Sequence, residues 1–291
     1  CSSLTNITIG SSVTRIGSEA FLSCSNLVNI AIPDTVTDIG TNAFAGCARL
    51  TEVAIPAGVT RVAGGTFMSC SSLTNITIPG SVTTIETNAF SDCAALTEIT
   101  IPGSVTNIGL WAFAYDTSLR DILVDESNPI YSSLDGVLAD KDQTTLLAYP
   151  YGRNGAYAVP DSVTRIGDHA FYLCVTLTDV AMGDGVANIG DYAFGCCSSL
   201  AGVYFRWDAP VLGSSVFDGA DLATVYYMPG TSGWGATYGG GPTAPWQFSN
   251  PADFNHTTDQ GTITITGYTG PGGTVTSAVQ PPTVYRTRRL W

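Results

Sequence analysis

Leu50-Thr51-Glu52-Val53-Ala54-Ile55-Pro56 returns 23 residues later as Leu73-Thr74-Asn75-Ile76-Thr77-Ile78-Pro79. Apolar residues hold the first, fourth and sixth places, and polar or small ones lie between. This is the L-x-x-L-x-L strand of a coil-stacking repeat. In an extended strand alternate side chains face opposite ways, so Val53 and Ile55 point into the fold and Glu52 and Ala54 point out. Pro56 has no N–H to offer a neighbouring strand and ends the run.

The same frame extends in both directions. Phe21, Phe44, Phe67, Phe90 and Phe113 lie 23 residues apart, and Phe171, Phe194 and Phe217 keep that step. Val36, Ile39, Ala43 and Cys47 recur around Phe44 as Val59, Val62, Thr66 and Cys70 recur around Phe67. Val59 and Val62 mark a second short extended edge. Gly40-Thr41-Asn42-Ala43-Phe44 then turns, as a short helix or 3₁₀ turn, and Phe44 fills the centre of the coil. One coil cannot bury such residues alone, so stability must come from neighbours stacked against each other. At a strand spacing of about 4.8 Å, eight or nine coils make a parallel sheet on the order of 40 Å long. The reading is an α/β solenoid, with residues 1–245 as one array and 246–291 as a non-repeat tail.

Two places depart from the step. Phe113 and Phe171 are 58 residues apart, two steps and twelve more. Turn signals at Asn128-Pro129, Asp135-Gly136 and Asp140-Lys141-Asp142, with Val137-Leu138 and Thr145-Leu146-Leu147 around the last, predict an enlarged coil with a β-hairpin in 125–156. It is either a ligand-specific projection or an insertion that the loop tolerates. After Phe217 the pattern decays into a last strand at Leu222, Val225 and Tyr227. The Gly-, Trp- and Tyr-rich stretch that follows completes a C-terminal cap over about 206–245. In the tail, Thr262-Ile263-Thr264-Ile265-Thr266 alternates like an exposed strand, and from Ser277 onward no pattern predicts order.

With the frame laid out, Ile55-Pro56, Val59-Thr60 and Ala89-Phe90-x-x-Cys93-x-x-Leu96-Thr97 resemble the BspA-type leucine-rich repeat. Asn128-Pro129-x-Tyr131-Ser132-Ser133-x-Asp135-Gly136-Val137-Leu138 resembles that family's long variant coil. The resemblance covers residues 1 to about 245. It implies a leucine-rich-repeat right-handed superhelix with 23-residue coils, a parallel concave sheet and short helical or 3₁₀ turns on the convex side. It also implies a surface or secreted protein, typically bacterial, linked to adhesion and to binding of host or matrix material, without catalysis. Thr262 to Gly273 resembles a linker of such proteins, whereas the basic end from Gln280 does not match.

Composition narrows the chemistry. The formal net charge is -13, with one lysine and ten arginines, which disfavours binding to a phosphate backbone. Arg286, Arg288 and Arg289 form one short basic run, read as a solvated tail. No stretch nears the ~18 consecutive apolar residues of a membrane span. Of eight cysteines, Cys1, Cys24, Cys47, Cys70, Cys93, Cys174 and Cys197 fall on the 23-residue step. Stacked equivalents have parallel Cβ vectors, which argues for a ladder of small buried thiols over disulfides, and against convergent metal ligands. Cys1 is either a lipid-bearing terminus or a mid-coil position. His169 lies in a variable convex slot and His256 in the tail, neither in a triad-like setting. No catalytic, metal or cofactor site is expected.

The outward strand positions carry the functional expectation. One column reads Asn6, Asn29, Glu52, Asn75, Glu98, Asp121, Asp179 and Gly202. The next reads Thr8, Ala31, Ala54, Thr77, Thr100, Leu123, Ala181 and Tyr204. A polar, mildly acidic stripe beside small residues suits either an extended or basic partner or plain solubility. Candidate contact residues are Asn29, Glu52, Asn75, Glu98, Asp121, Asp179, Tyr204 and Trp207, toward a host or matrix protein or glycan. The aromatic pair would either anchor a partner or seal the last coils. The competing class is a structural spacer inside a larger surface protein, which near-identical copies favour; the insert and the Tyr204, Phe205, Trp207 group favour recognition.

Overall fold

The computed structural model describes residue 1, residues 3–246 and the backbone of two further strands, Phe254–Asp259 and Thr262–Tyr268. Each coil opens with a strand on the concave face. These strands are Asn6–Thr8, Asn29–Ala31, Glu52–Ala54, Asn75–Thr77, Glu98–Ile101 and Asp121–Val124, then Gly155–Ala158, Leu177–Ala181, Gly202–Phe205 and Thr224–Tyr227. Neighbours pair in parallel and the register follows the repeat, with Asn6 opposite Asn29 and Glu52 opposite Asn75. Glu98 lies opposite Asp121, and Asp179 opposite Gly202. A second, shorter edge follows in each coil, such as Asp38–Ile39 and Arg61–Val62. Along it Arg15, Asp38, Arg61 and Glu86 alternate in charge, with contacts of 2.9, 3.5 and 2.8 Å. These ions are a third to two thirds exposed and contribute little each.

The convex side is not helical: among the described residues there is no helix. Residues two places before and two places after each of the eight Phe on the 23-residue step all have φ between 51° and 72°, among them Asn42 and Gly46 around Phe44 and His169 and Leu173 around Phe171. A left-handed residue every fourth position cannot belong to a right-handed helix. The hydrogen bonds give the cause. Asn42, Phe44 and Gly46 donate N–H groups to Gly64, Thr66 and Met68 of the next coil, at 3.0, 2.9 and 2.7 Å. Alternate donors thus serve the neighbouring coil, and inter-coil bonding displaces the intra-segment bonds of a helix.

Leu50, Val53, Ile55 and Phe67 are buried in one cluster. The Phe rings stack face to face along the coils, 5.3 to 6.0 Å apart from Phe21 to Phe113. The ladder resumes with Phe171, Phe194 and Phe217. Eight cysteines are free thiols, six of them buried. Cys47, Cys70, Cys93 and Cys197 donate to the carbonyl of the Phe one coil earlier, at 2.9 to 3.3 Å. Burial pushes the Cys47 thiol up to about 11 and that of Cys197 to about 12.

The enlarged coil is internal to the stack. Tyr131–Leu134, Val137–Asp140 and Thr145–Ala148 form an antiparallel meander, and the last of them pairs in parallel with Arg165–Ile166. The predicted hairpin is its second half. Alternate residues of Val137–Asp140 serve different cores: Leu138 packs with the N-terminal coils, Val137 and Ala139 with the C-terminal ones. Buried Asn128 fixes the segment, donating to Pro102 O and Val105 O and accepting from Ile130 N and Tyr131 N. Tyr149 takes the Phe position, its N–H bonded to Ala170 O as Phe171 bonds to Ala193 O.

The insert also splits the concave sheet, which the sequence reading took as continuous. Asp121–Val124 pairs only with Glu98–Ile101, and Gly155–Ala158 only with Leu177–Ala181. Between them lies the tip of the meander's first hairpin, the Asp135-Gly136 turn, where Gly136 O accepts from Ile122 N. A further gap in strict pairing separates Asn75–Thr77 from Glu98–Ile101. At the C-terminal end Trp234 packs on Phe205, Tyr227 and Tyr238, closing the last coils. In the tail, Thr262–Tyr268 pairs antiparallel with Phe254–Asp259. The expectations for residues from Ser277 onward, and for Arg286, Arg288 and Arg289, lie outside the described residues.

Candidate functional site

The concave face presents its outward residues in two differing halves. In the N-terminal half Asn29, Glu52, Asn75 and Glu98 are all exposed, one per strand. Asn29 Oδ1 accepts from Thr51 Oγ1 at 3.5 Å. Among the described residues Glu52 and Glu98 have no ion pair. The strands hold these side chains in place while the packing is carried by Val53, Ile76 and Ile99 behind them, so they are available to a partner.

The next two members of the column are engaged. Asp121 Oδ1 is bound by Arg153 at 2.8 Å, and the same guanidinium donates to the carbonyls of Arg120 and Asp135. This fork ties the strand before the insert to the hairpin tip and to the strand after it. A Cβ on Gly136, at φ +74°, would lie 2.1 Å from Asp121 Oδ1, so any larger residue there would displace the carboxylate that Arg153 binds. Asp179 accepts from Tyr204 Oη at 3.2 Å. Tyr204 belongs to the outward column yet is only 2% exposed, because Tyr226 and Trp246 stack over it. Its ring covers Gly202, where a Cβ would meet it at 2.4 Å. Tyr204 therefore seals the sheet, and Trp207, 57% exposed, is the accessible aromatic of the pair.

Sequence reasoning missed the cleft beside these residues. It has a volume of about 810 Å³ and runs along the concave side of Ala156 to Asp161, walled by Arg120, Asp135 and Arg153 at one end and Arg206 and Trp246 at the other. Three of ten arginines converge here in an acidic chain. Arg206 pairs with Asp184 and Asp161, at 2.6 and 3.6 Å. Arg120 is exposed, and among the described residues its guanidinium has no partner. Tyr157 lines the cleft floor, its ring packs inward on Tyr149 and Phe171, and its hydroxyl is buried without a hydrogen bond. Burial raises its pKa to about 12.

On the convex side His169 stacks on Tyr192 and meets Trp111 and Tyr172 edge-on. It sits among aromatic rings, with no nucleophile–base arrangement. Asp116 occupies the position that the 23-residue step gives to a cysteine. It is fully buried; Oδ1 accepts from Cys93 N at 2.7 Å, and Oδ2 has no partner. Burial holds its pKa well above the usual carboxylate range. Among the described residues no three His, Cys, Asp or Glu side chains converge as metal ligands, and no helix is long and apolar enough to cross a membrane.

Comparison with known proteins agrees with this architecture. The pneumococcal vaccine antigen PcpA superposes with a TM-score of 0.63 at 25% identity, over 77% of this chain and 62% of that one, so the chain spans under two thirds of PcpA's length. A leucine rich cell surface protein from Faecalibacterium prausnitzii superposes with a TM-score of 0.57 at 33% identity, over 77% of this chain and 73% of that one. A leucine-rich repeat protein from Eubacterium ventriosum shares the fold, with a TM-score of 0.55 at 22% identity over 78% and 61%. No curated protein matches. The profile of the BspA type leucine rich repeat region matches six copies over residues 1–120 and 156–235, stopping where the insert begins and resuming where it ends. The chain belongs to the BspA-type leucine-rich repeat family.

Proposed function

We propose that this chain is a non-catalytic recognition module, secreted or held at a cell surface, that binds a host or matrix protein or glycan through its concave face. One observation carries the reading: Asn29, Glu52, Asn75 and Glu98 form an exposed row, one side chain per strand, free of packing. A row with that spacing fits an extended partner, and its charge favours a basic one, with association that weakens as salt rises. The cell-surface description of the Faecalibacterium protein supports the location.

The test is binding of the full chain to immobilised extracellular-matrix proteins and glycans, repeated with Glu52→Ala/Glu98→Ala at two salt concentrations. A several-fold loss with a shallower salt dependence is expected for the bound member. Unchanged affinity and salt dependence would remove the stripe from the function.

A further inference from the structure

We propose that the free edge of Gly155–Ala158 accepts one extended acidic peptide segment, which docks as an added strand in the gap of the concave sheet. This deepens the recognition reading, from which it takes only the role of binding, and it concerns a different patch from the acidic row.

The geometry begins with layer counting. Between the coil of Asp121–Val124 and that of Gly155–Ala158, the opposite long side holds two extra strands, Val137–Asp140 and Thr145–Ala148. The concave side holds none. The hairpin tip covers the edge of Asp121–Val124, through Ile122 N to Gly136 O and Ser133 Oγ to Ile122 O. The facing edge of Gly155–Ala158 receives no such cover.

The backbone there is unpaired. Val159 N donates to Ala181 O, so Tyr157 and Val159 turn their peptide groups toward Leu177–Ala181. Strand groups alternate in direction, so Ala156 and Ala158 turn theirs toward the gap. Among the described residues no backbone hydrogen bond reaches Ala156 or Ala158 from that side. A strand edge left open in this way is a template for another strand, and main-chain bonding of that kind recognises extended peptides.

The cleft supplies the selectivity. It follows Ala156 to Asp161, room for about 20 Å of extended chain. Arg120, exposed and unpaired, stands at its mouth, with Arg153 and Arg206 on either side. Arg153 and Arg206 are already paired with carboxylates, so Arg120 is the cation left for a ligand carboxylate.

The experiment is fluorescence anisotropy with the full chain and a fluorescein-labelled octapeptide of alternating Val and Glu. Controls are the Val–Lys counterpart and the Val–Glu peptide N-methylated at alternate backbone nitrogens. The acidic peptide should bind, both controls should bind at least tenfold more weakly, and Arg120→Glu should weaken the acidic peptide at least tenfold. Equal affinity for the N-methylated peptide would overturn docking through the strand edge. Indifference to Arg120→Glu would overturn the acidic preference, and absence of peptide binding would overturn the whole proposal. Binding of polygalacturonate without the peptide would give the cleft to an acidic glycan and also overturn it. Glu52→Ala/Glu98→Ala leaves this cleft intact, so the stripe and the edge fail separately.

Discussion

Asp116→Cys should stabilise the protein. The substitution restores the thiol ladder at the one position between Cys93 and the insert where the 23-residue step finds a carboxylate. Three contributions set the magnitude. The native Oδ2 is buried without a partner, a cost of about 1–3 kcal/mol that the substitution removes. The Oδ1 bond to Cys93 N is lost, but that N–H also donates to Phe90 O at 3.2 Å, so it is not orphaned. The new thiol gains the Phe90 carbonyl, the acceptor that the ladder's offset assigns to it, worth less than about 1 kcal/mol. The net expectation near pH 4, before any cost of keeping the acid protonated, is a gain of about 1–3 kcal/mol. The pH dependence gives the sharper check. The native-state pKa of Asp116 lies above its unfolded value of 3.8, so the folded chain holds a proton that the unfolded chain releases. Its contribution is fully present below the unfolded pKa and is lost as pH climbs from about 4 toward the folded value. The advantage of Asp116→Cys should therefore grow from pH 4 to pH 8 in urea-denaturation series under reducing conditions. A destabilised variant, or an advantage constant across that range, would refute the assignment of Asp116 as a neutral acid in a thiol slot.

Three further outcomes follow from the same packing. Phe90→Ala removes a fully buried ring stacked between Phe67 and Phe113 at 5.7 and 6.0 Å, and should cost about 3–5 kcal/mol by denaturant titration. A cost under about 1 kcal/mol would show that the ring is not central to its coil. In native protein at pH 8 a maleimide should label exposed Cys1 first and leave buried Cys70, Cys93 and Cys174 unmodified until denaturant is added; rapid native labelling of these three would contradict the burial. Gly46→Ala, at φ 72°, should lower stability by about 1–2 kcal/mol in the same titration, and a neutral result would argue against a left-handed turn.

The fold was legible wherever the chain obeys its step. Alternation around Val53 and Ile55 places Glu52 and Asn75 side by side, and the ladder of Phe rings follows from spacing alone. The convex turn was not legible, because Gly, Thr and Asn at Gly40 to Asn42 serve a short helix and a left-handed turn equally well. What decided it was the demand of the next coil for N–H groups, a non-local bond. Tyr149 was hidden because the insert shifts it off the step, although its place before Pro150 and Tyr151 is filled as Phe is elsewhere. Asp116 was within reach, since counting 23 from Cys93 lands on it. The covering of Tyr204 depends on Trp246, outside the repeat, and the cleft depends on how many strands each face of the insert contributes. Spacing within one coil carries no information on either.

The unequal layer count across the insert has the form of an edge dislocation: extra half-planes enter from one side of an otherwise regular lattice and stop inside it. In a crystal such a line gathers the atoms that the lattice cannot satisfy. The same holds here, since Asp116 Oδ2 and the Tyr157 hydroxyl, the two buried orphaned side-chain atoms among the described residues, both flank it. A dislocation is not removed by adding planes elsewhere. Duplicating a 23-residue coil on either side would lengthen the array and leave the defect, with its open strand edge, unchanged. Growth of the repeat and preservation of the site are thus decoupled, so a lineage can alter the reach of the molecule without rebuilding its gap.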